Sequence, residues 1–534
     1  MSEIVFDVIV VGSGCTGAMA AQTLLERGYK VFMLDGGNDD QHYRHLSPKL
    51  SFTELRKTDT GQYRYLLGEQ FESLPAEQLG TGAQLTPARA HLLKDVNALL
   101  TSHSKGFASM ETLALGGLGA GWGLGSCVFS EKELEQCGLP AEAMHHAYQV
   151  VADRIGISGD ADDAQPFTFR HLQHIQPALP IDAVAQKIAQ RYRANRSILQ
   201  QRHFHLGLPA LALLSQDKDN RRGNKLRDME FYDDHELSAY RPWITIRELQ
   251  RQSNFKLEQG WLVTKFEKSD DNVVVHAVHI ESKTAQQFRA RKLVLCSGAL
   301  GTARIALRSS EYKKRVPLLC NPYYYLPCLV PSMLGQAGAI QQYSYAQLSL
   351  FHDNNAAGND IAMASLYTYR SLMLFRLLNE TPLNIQDGRA LMQYLAPALL
   401  IAGIHLPEQI SEGQYTELLP ATDSFTGDRM HYNYTRTAQQ QRNSQQRLSS
   451  FRWALRKLGA FPLKTVAPEI GASIHYAGTL PFSKTHQHLT LQQNGLLHGT
   501  RNVYVADGSG FTFLPAKGLT LTLMANAHRV ASGV

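Results

Sequence analysis

Three glycines and an acid are the first residues in this chain whose types and spacing could do chemistry. Gly12-Ser13-Gly14-Cys15-Thr16-Gly17 follows the apolar run Val8 to Val11, and a small-residue helical pattern continues through Leu25. A second apolar run, Val31 to Leu34, then ends on Asp35-Gly36. The order is strand, glycine turn, helix, strand, acid. In a βαβ unit of this kind Gly12 permits the tight turn, Gly14 lets backbone N–H groups approach a pyrophosphate, and Gly17 lets helix and strand pack closely. The diphosphate rests on the positive helix N-terminus at Cys15 and Thr16. Asp35 falls where a carboxylate accepts both hydroxyls of an adenosine ribose, and it would repel a 2′-phosphate. The unit alone does not choose between NAD and FAD.

Other stretches must position this chemistry. Ala114-Leu115-Gly116-Gly117-Leu118-Gly119-Ala120-Gly121-Trp122-Gly123 leaves a backbone that a ligand can lie against. Residues 131–160 read as helical, stopping at Gly156. Between Trp261 and Arg291 three alternating segments predict an antiparallel sheet, and they lead into Lys292 to Cys296, the turn Ser297-Gly298 and a helix start, a second piece of the dinucleotide fold. The last seventy residues return to small, buried-type patterns, so the cofactor-type segments are separated and two domains must interleave.

The whole-chain numbers agree with an ordinary globular protein of two domains: 534 residues, 44% apolar and 19% charged. The net charge of +6 is spread along the chain without a basic run, which argues against nucleic-acid binding. Six cysteines (Cys15, Cys127, Cys137, Cys296, Cys320 and Cys328) show neither a disulfide framework nor a metal-ligand spacing. The chain runs into its first strand without a signal-peptide pattern, so a cytoplasmic location is expected. Met363–Leu378 and Ala390–Leu406 are apolar and read as core helices of a substrate domain. The alternative is a peripheral contact, through 363–406, with the inner face of a membrane.

Five separated motifs together resemble the glucose-methanol-choline (GMC) oxidoreductase family: the GSGCTG turn with Asp35, the ALGGLGAGWG loop, VLCSGALGTARIAL, IHYAGT, and the terminal NVYVADGSGFTFLPAKGLTLTLMANAHR. The resemblance covers the FAD-binding segments well and the substrate domain hardly at all. It implies an α/β fold, a Rossmann-type FAD-binding domain interleaved with an α+β substrate domain built on an antiparallel sheet, as in p-hydroxybenzoate hydroxylase-like proteins. The FAD-binding domain would take 1–130, 238–312 and 466–534, and the substrate domain 131–237 and 313–465.

The resemblance also implies FAD rather than NAD. Gly12, Gly14, Cys15, Thr16, Gly17, Asp35 and Gly36 would meet it from the first βαβ unit. Gly116, Gly117, Gly121, Trp122 and Gly123 would meet it from the glycine loop. Val263 is similar to the residue whose backbone meets the adenine, Ser297 and Gly298 belong to the second turn, and Asp507, Gly508 and Thr520 belong to the terminal motif. The glycine-tryptophan loop is nearest to the pyranose-oxidase-like branch, where a histidine just before the tryptophan carries the flavin covalently. Here that position is Gly121, so FAD is expected to be non-covalent.

Such enzymes take a proton from an alcohol and pass a hydride to flavin N5. His475, in His-x-x-Gly-Thr, is similar to the catalytic histidine of the family, and an imidazole suits a base because it titrates near working pH. The family places an Asn or His in the turn before the last helix. This chain has Gly518 and Leu519 there, with Lys517 adjacent, for which a solvated side chain is the ordinary reading. Either the chemistry is unusual or another group fills the role. The function expected is oxidation of a small-molecule alcohol, sugar-like or a secondary metabolite, with oxygen or another electron acceptor. The alternatives are lyase-type chemistry on the same fold and a protein that holds FAD for binding or assembly.

Overall fold

The computed structural model describes residues 6–40, 42–73, 86–311, 314–336, 342–368 and 382–534. Its parallel sheet begins where the glycine motif requires it. β1 (Phe6–Val11) and β2 (Val31–Leu34) pair in parallel, and α1 (Cys15–Glu26) crosses between them. Val8 to Val10 and all four residues of β2 are buried, as in a sheet covered on both faces.

β3 (Ala285–Leu295) lies on the other side of β1 and changes partner midway. Its first half runs antiparallel to Val273–His279, which pairs in turn with Trp261–Lys268, so the alternating segments are strands as expected. Its second half runs parallel to β1 and to β4 (Val503–Val505). α2 (Gly298–Ser309) follows β3 directly, and α3 (Thr520–Gly533) packs against α1 and against the helix Ala141–Ile155. That helix and its neighbour Glu131–Cys137, grouped in the sequence reading with the substrate segment, bury their apolar faces in the core shared by β1 and α1.

A second sheet is antiparallel throughout, in the order Phe461–Pro462, Tyr323–Leu329, Leu399–His405, Ile361–Thr368, Leu348–Asp353, Phe204–Gly207. One face, with Leu326, Leu350, Ala364, Leu366, Ala402 and Ile404, packs under the helices Ala183–Gln200 and Ala438–Lys457. Alternation then sends Tyr323, Ser349, Met363, Ser365, Tyr367 and His405 to the other face. A four-stranded sheet containing Ser102–Lys105 and Asp428–Tyr434 joins the halves, and α2 is fastened across the join by two buried ion pairs, Arg308–Asp428 (2.6 Å) and Arg304–Glu111 (2.8 Å).

The two apolar stretches read as core helices are a correction. Residues 361–368 and 399–405 are adjacent strands of the second sheet, with a helix at Ile385–Leu395 and a turn at Pro397 before the second of them. Residues 369–378 lie outside the described residues. An unbroken apolar run fits a strand buried on both faces as well as a helix, because periodicity vanishes in both. Among the described residues no helix is long and apolar enough to cross a membrane. All six cysteines are buried free thiols.

Candidate active site

One cavity of about 580 Å³ is lined by both halves of the molecule. On the side of the parallel sheet its wall is largely backbone. A Cβ at Gly12 would sit 2.7 Å from the Cys296 carbonyl oxygen, and one at Gly17 would sit 1.8 Å from the Gly12 oxygen, so these two glycines serve the packing of strand, turn and helix. Gly14 differs. The nearest atom to its Cβ position is 3.8 Å away, and Gly123 and Gly298 have nothing within 4 Å. What a side chain at these positions would fill is the cavity itself.

Three helices begin at this wall. The residues before them, Gly14, Ser297 and Leu519, all line the cavity, and none makes a side-chain cap on α1, α2 or α3. Capping boxes close other helices at Ser51, Ser130 and Thr437, while Ala141–Ile155 and Pro242–Leu249 start behind Pro140 and Arg241 without a side-chain cap. Uncapped N-termini leave N–H groups and the positive end of each helix dipole facing the cavity, which suits an anionic ligand such as a diphosphate.

Asp35 accepts the N–H of Ser13 and of Gly37, each at 2.7 Å, and keeps lone pairs for a ligand hydroxyl. Burial outweighs those bonds and pushes its carboxyl up to about 6. Asp507 accepts from Thr302 Oγ1 (2.5 Å) and from Ser509, tying the start of α2 to the turn after β4, and burial raises its carboxyl as well. Trp122 is held by its Nε1 donating to the Tyr240 carbonyl (2.8 Å).

Of the residues singled out in the sequence, Cys15, Thr16, Gly36, Gly117, Gly121, Trp122, Val263, Gly508 and Thr520 also line the cavity. Gly17 and Gly116 do not. Gly17 packs as described, and the Gly116 N–H donates to Ser13 Oγ at 2.9 Å, joining the two glycine loops to each other.

The opposite wall is made of side chains. His475 lines the cavity, and its Nδ1 lies 3.0 Å from Asn321 Oδ1. The buried Asn321 points its Nδ2 at three carbonyls, those of Leu406 (2.9 Å), Leu514 (3.2 Å) and Pro515 (3.1 Å). Nδ2 must therefore be the amide nitrogen, Oδ1 must accept, and the proton of neutral His475 must sit on Nδ1. Nε2, which makes no hydrogen bond among the described residues, keeps its lone pair. Burial pulls His475 down to about 4, so it is neutral near pH 7.

Stacked on His475 is His405, with ring centres 4.8 Å apart and planes 21° apart. Burial and the neighbouring ring hold His405 well below the usual histidine range. Tyr323 and Met363 lie opposite His405 on the flanking strands. The Tyr323 hydroxyl occupies the space above Gly403, where a Cβ would come within 2.7 Å of it. Ser349 Oγ is buried in this wall without a hydrogen-bond partner among the described residues.

Lys517 is not solvated. It is fully buried, with Nζ 2.8 Å from Glu133 Oε2 and 3.2 Å from the Val128 carbonyl, so it turns away from the cavity because its charge is answered in the core behind it. Position 518 cannot carry a side chain, since a Cβ there would lie 2.7 Å from the Gly125 carbonyl oxygen. Leu519 lines the cavity with an apolar group. Asn321, His405, Tyr323 and Ser349 were not identified as site residues from sequence. The available signal was small: a histidine ending an apolar run, and a tyrosine triplet after Asn321-Pro322.

Residues 423–527 match the GMC oxidoreductase family model. This GMC segment contains His475, Asp507, Gly508 and Thr520, and the match supports the GMC family for the chain. No curated protein matches the sequence. Among solved structures the chain is similar to pyridoxine 4-oxidase from Mesorbium loti, at 13% identity over 99% of both chains with a TM-score of 0.56. At that identity the likeness shows a shared fold, that of a GMC-type α/β protein with two interleaved parts.

Proposed function

We propose that this chain is a flavin-dependent oxidoreductase that oxidises an alcohol group of a small molecule to a carbonyl. The observation that carries the reading is the fixed tautomer of His475, which leaves Nε2 unprotonated on a ring lining a cavity whose other wall is glycine backbone and helix N-termini. A bound FAD would supply the hydride acceptor. Its diphosphate would lie on α1 at Gly14 and Thr16, its adenosine ribose would donate to Asp35, its adenine would lie by Val263, and the rest would extend past Ser297, Trp122, Gly123 and Asp507 to Thr520.

In this reading His475 Nε2 takes the hydroxyl proton, and Asn321 holds the ring so that no other tautomer competes. His405 shares the substrate oxygen with it, in the role for which positions 518 and 519 carry no polar side chain. Two stacked imidazoles accept one proton between them, because the first charge opposes the second. Tyr323, Tyr367 and Trp122 give the wall aromatic faces that suit a ring-bearing alcohol. Gly121 has no side-chain atom to bond a flavin, so FAD is dissociable.

The test is an absorbance spectrum before and after acid precipitation, then anaerobic mixing with sugars and with aryl and aliphatic alcohols. A yellow supernatant and bleaching by an alcohol are expected. A flavin that no alcohol bleaches would favour the non-redox alternative. A colourless protein that takes up no FAD would overturn the reading.

A further inference from the structure

Arg89 is a buried cation with no ion-pair partner among the described residues. It sits on the short helical turn Pro87–Leu93, is 6% exposed, and lines the main cavity. Its guanidinium lies 4.2 Å from the centre of the Phe231 ring. Its Nη2 makes two long contacts, 3.4 Å to the Glu230 carbonyl and 3.5 Å to the Tyr345 hydroxyl. Among the described residues no acid forms an ion pair with it, and the Glu230 carboxylate is turned away to Ser344 and Asn224, each at 2.6 Å.

The nearby charge that Arg89 does feel is another cation. Arg241, equally buried, donates to the same Tyr345 hydroxyl at 2.5 Å and to the Trp122 carbonyl at 2.9 Å. Burial, with Arg241 beside it, pulls Arg89 down to about 10, which leaves it charged at neutral pH. A guanidinium does not shed its proton to escape burial. Two of them sharing one phenol oxygen is an arrangement that a bound anion would relieve.

We propose that Arg89, backed by Arg241 and Tyr345, is an anion subsite of the main cavity that holds a carboxylate or phosphate group. This rests on the oxidoreductase reading and narrows it: the alcohol substrate carries an anionic group, as a hydroxy acid or a phosphorylated alcohol does. The same chemistry has a second source, the diphosphate of FAD. The geometry points to the substrate, because the subsite is tied to Trp122, at the far end of the turn Gly117–Ala120 from Gly14, and three helix N-termini already face the cavity for a diphosphate.

The experiment compares the FAD-loaded wild type with Arg89→Gln and Arg89→Lys, by calorimetric and flavin-absorbance titration with benzoate and with inorganic phosphate. The expected result is saturable binding to the wild type that weakens at least tenfold in Arg89→Gln and partly recovers in Arg89→Lys, at unchanged FAD content. If Arg89→Gln instead loses FAD and the wild type ignores both anions, the subsite belongs to the FAD diphosphate. Full FAD content with no change in anion binding, or no binding in any form, overturns the subsite. Should Arg89→Gln fail to fold, Arg89→Lys and the wild type decide. If the protein takes up no FAD, the oxidoreductase reading fails on its own, and calorimetry with the two anions still tests Arg89.

Discussion

On one side of the cavity the chain presents backbone: glycines, uncapped helix ends, and acids already held by N–H groups. On the other it presents side chains from an antiparallel sheet and one loop, His405, Tyr323, Ser349 and His475. The first wall suits any ligand of the right length and charge, whereas the second holds a neutral imidazole in a fixed tautomer and can discriminate. Substitutions in the two walls should therefore separate cofactor binding from chemistry.

The largest effect is expected at the second wall. His475→Ala should slow flavin bleaching by an alcohol by about 10²–10⁴-fold, the range for a general base, with FAD content unchanged. Retained bleaching in anaerobic stopped-flow would remove His475 from the mechanism. Behind the first wall, Lys517→Met leaves Glu133 buried without its partner and should cost about 3–5 kcal/mol in urea unfolding. The double variant Lys517→Met with Glu133→Gln, which keeps the amide oxygen for the Ser130 cap, should recover most of that loss, and no recovery would mean that the pair is not what the substitution disturbs.

Gly14→Val tests the first wall directly. With 3.8 Å of room at its Cβ, the FAD-free protein should unfold as the wild type does, while FAD affinity falls roughly 10–100-fold, as overpacking a filled site costs. Gly17→Val, whose Cβ would meet the Gly12 oxygen, should instead prevent folding. Equal damage from both would break the distinction between packing glycines and cavity glycines.

The most gradual effect concerns pH. His475 is held at about 4 against about 6.5 unfolded, so between these values the unfolded chain binds a proton that the folded chain does not. Stability should rise with pH through that window and be lost as pH falls from 6.5 toward 4, by up to about 1.4 kcal/mol per unit. His475→Asn should flatten this slope in urea melts. The same depression keeps the base unprotonated, so the acid limb of bleaching should fall near pH 4 rather than near 6.5.

The two walls also differed in how well the sequence announced them. A backbone wall needs small residues and an acid at fixed spacing, and Gly12, Gly14 and Asp35 were legible because that spacing is local to one strand, turn, helix and strand. The side-chain wall depends on pairings between strands far apart in the chain. His405 meets His475 only after Leu399–His405 has paired with Tyr323–Leu329, and nothing local to either histidine reports that. Lys517 reads as solvated for the same reason, since its partner Glu133 lies nearly four hundred residues earlier and meets it only in the folded molecule. The apolar runs Met363–Leu378 and Ala390–Leu406 read as helices because burial on both faces erases the period that tells strand from helix.

The midway change of partner in β3 has a consequence for biosynthesis. β1 is made well before two of the strands in its sheet, which gains β3 only after nearly three hundred further residues and β4 only near Val505. At about 5–20 residues per second a strand edge stays open for tens of seconds while the intervening chain emerges. The nascent protein must be shielded through that interval, because an unpaired apolar strand edge is a template for the wrong neighbour. The glycine-backed wall of the cavity, which needs β1, α2 and α3 together, is complete only once the last of them has been delivered.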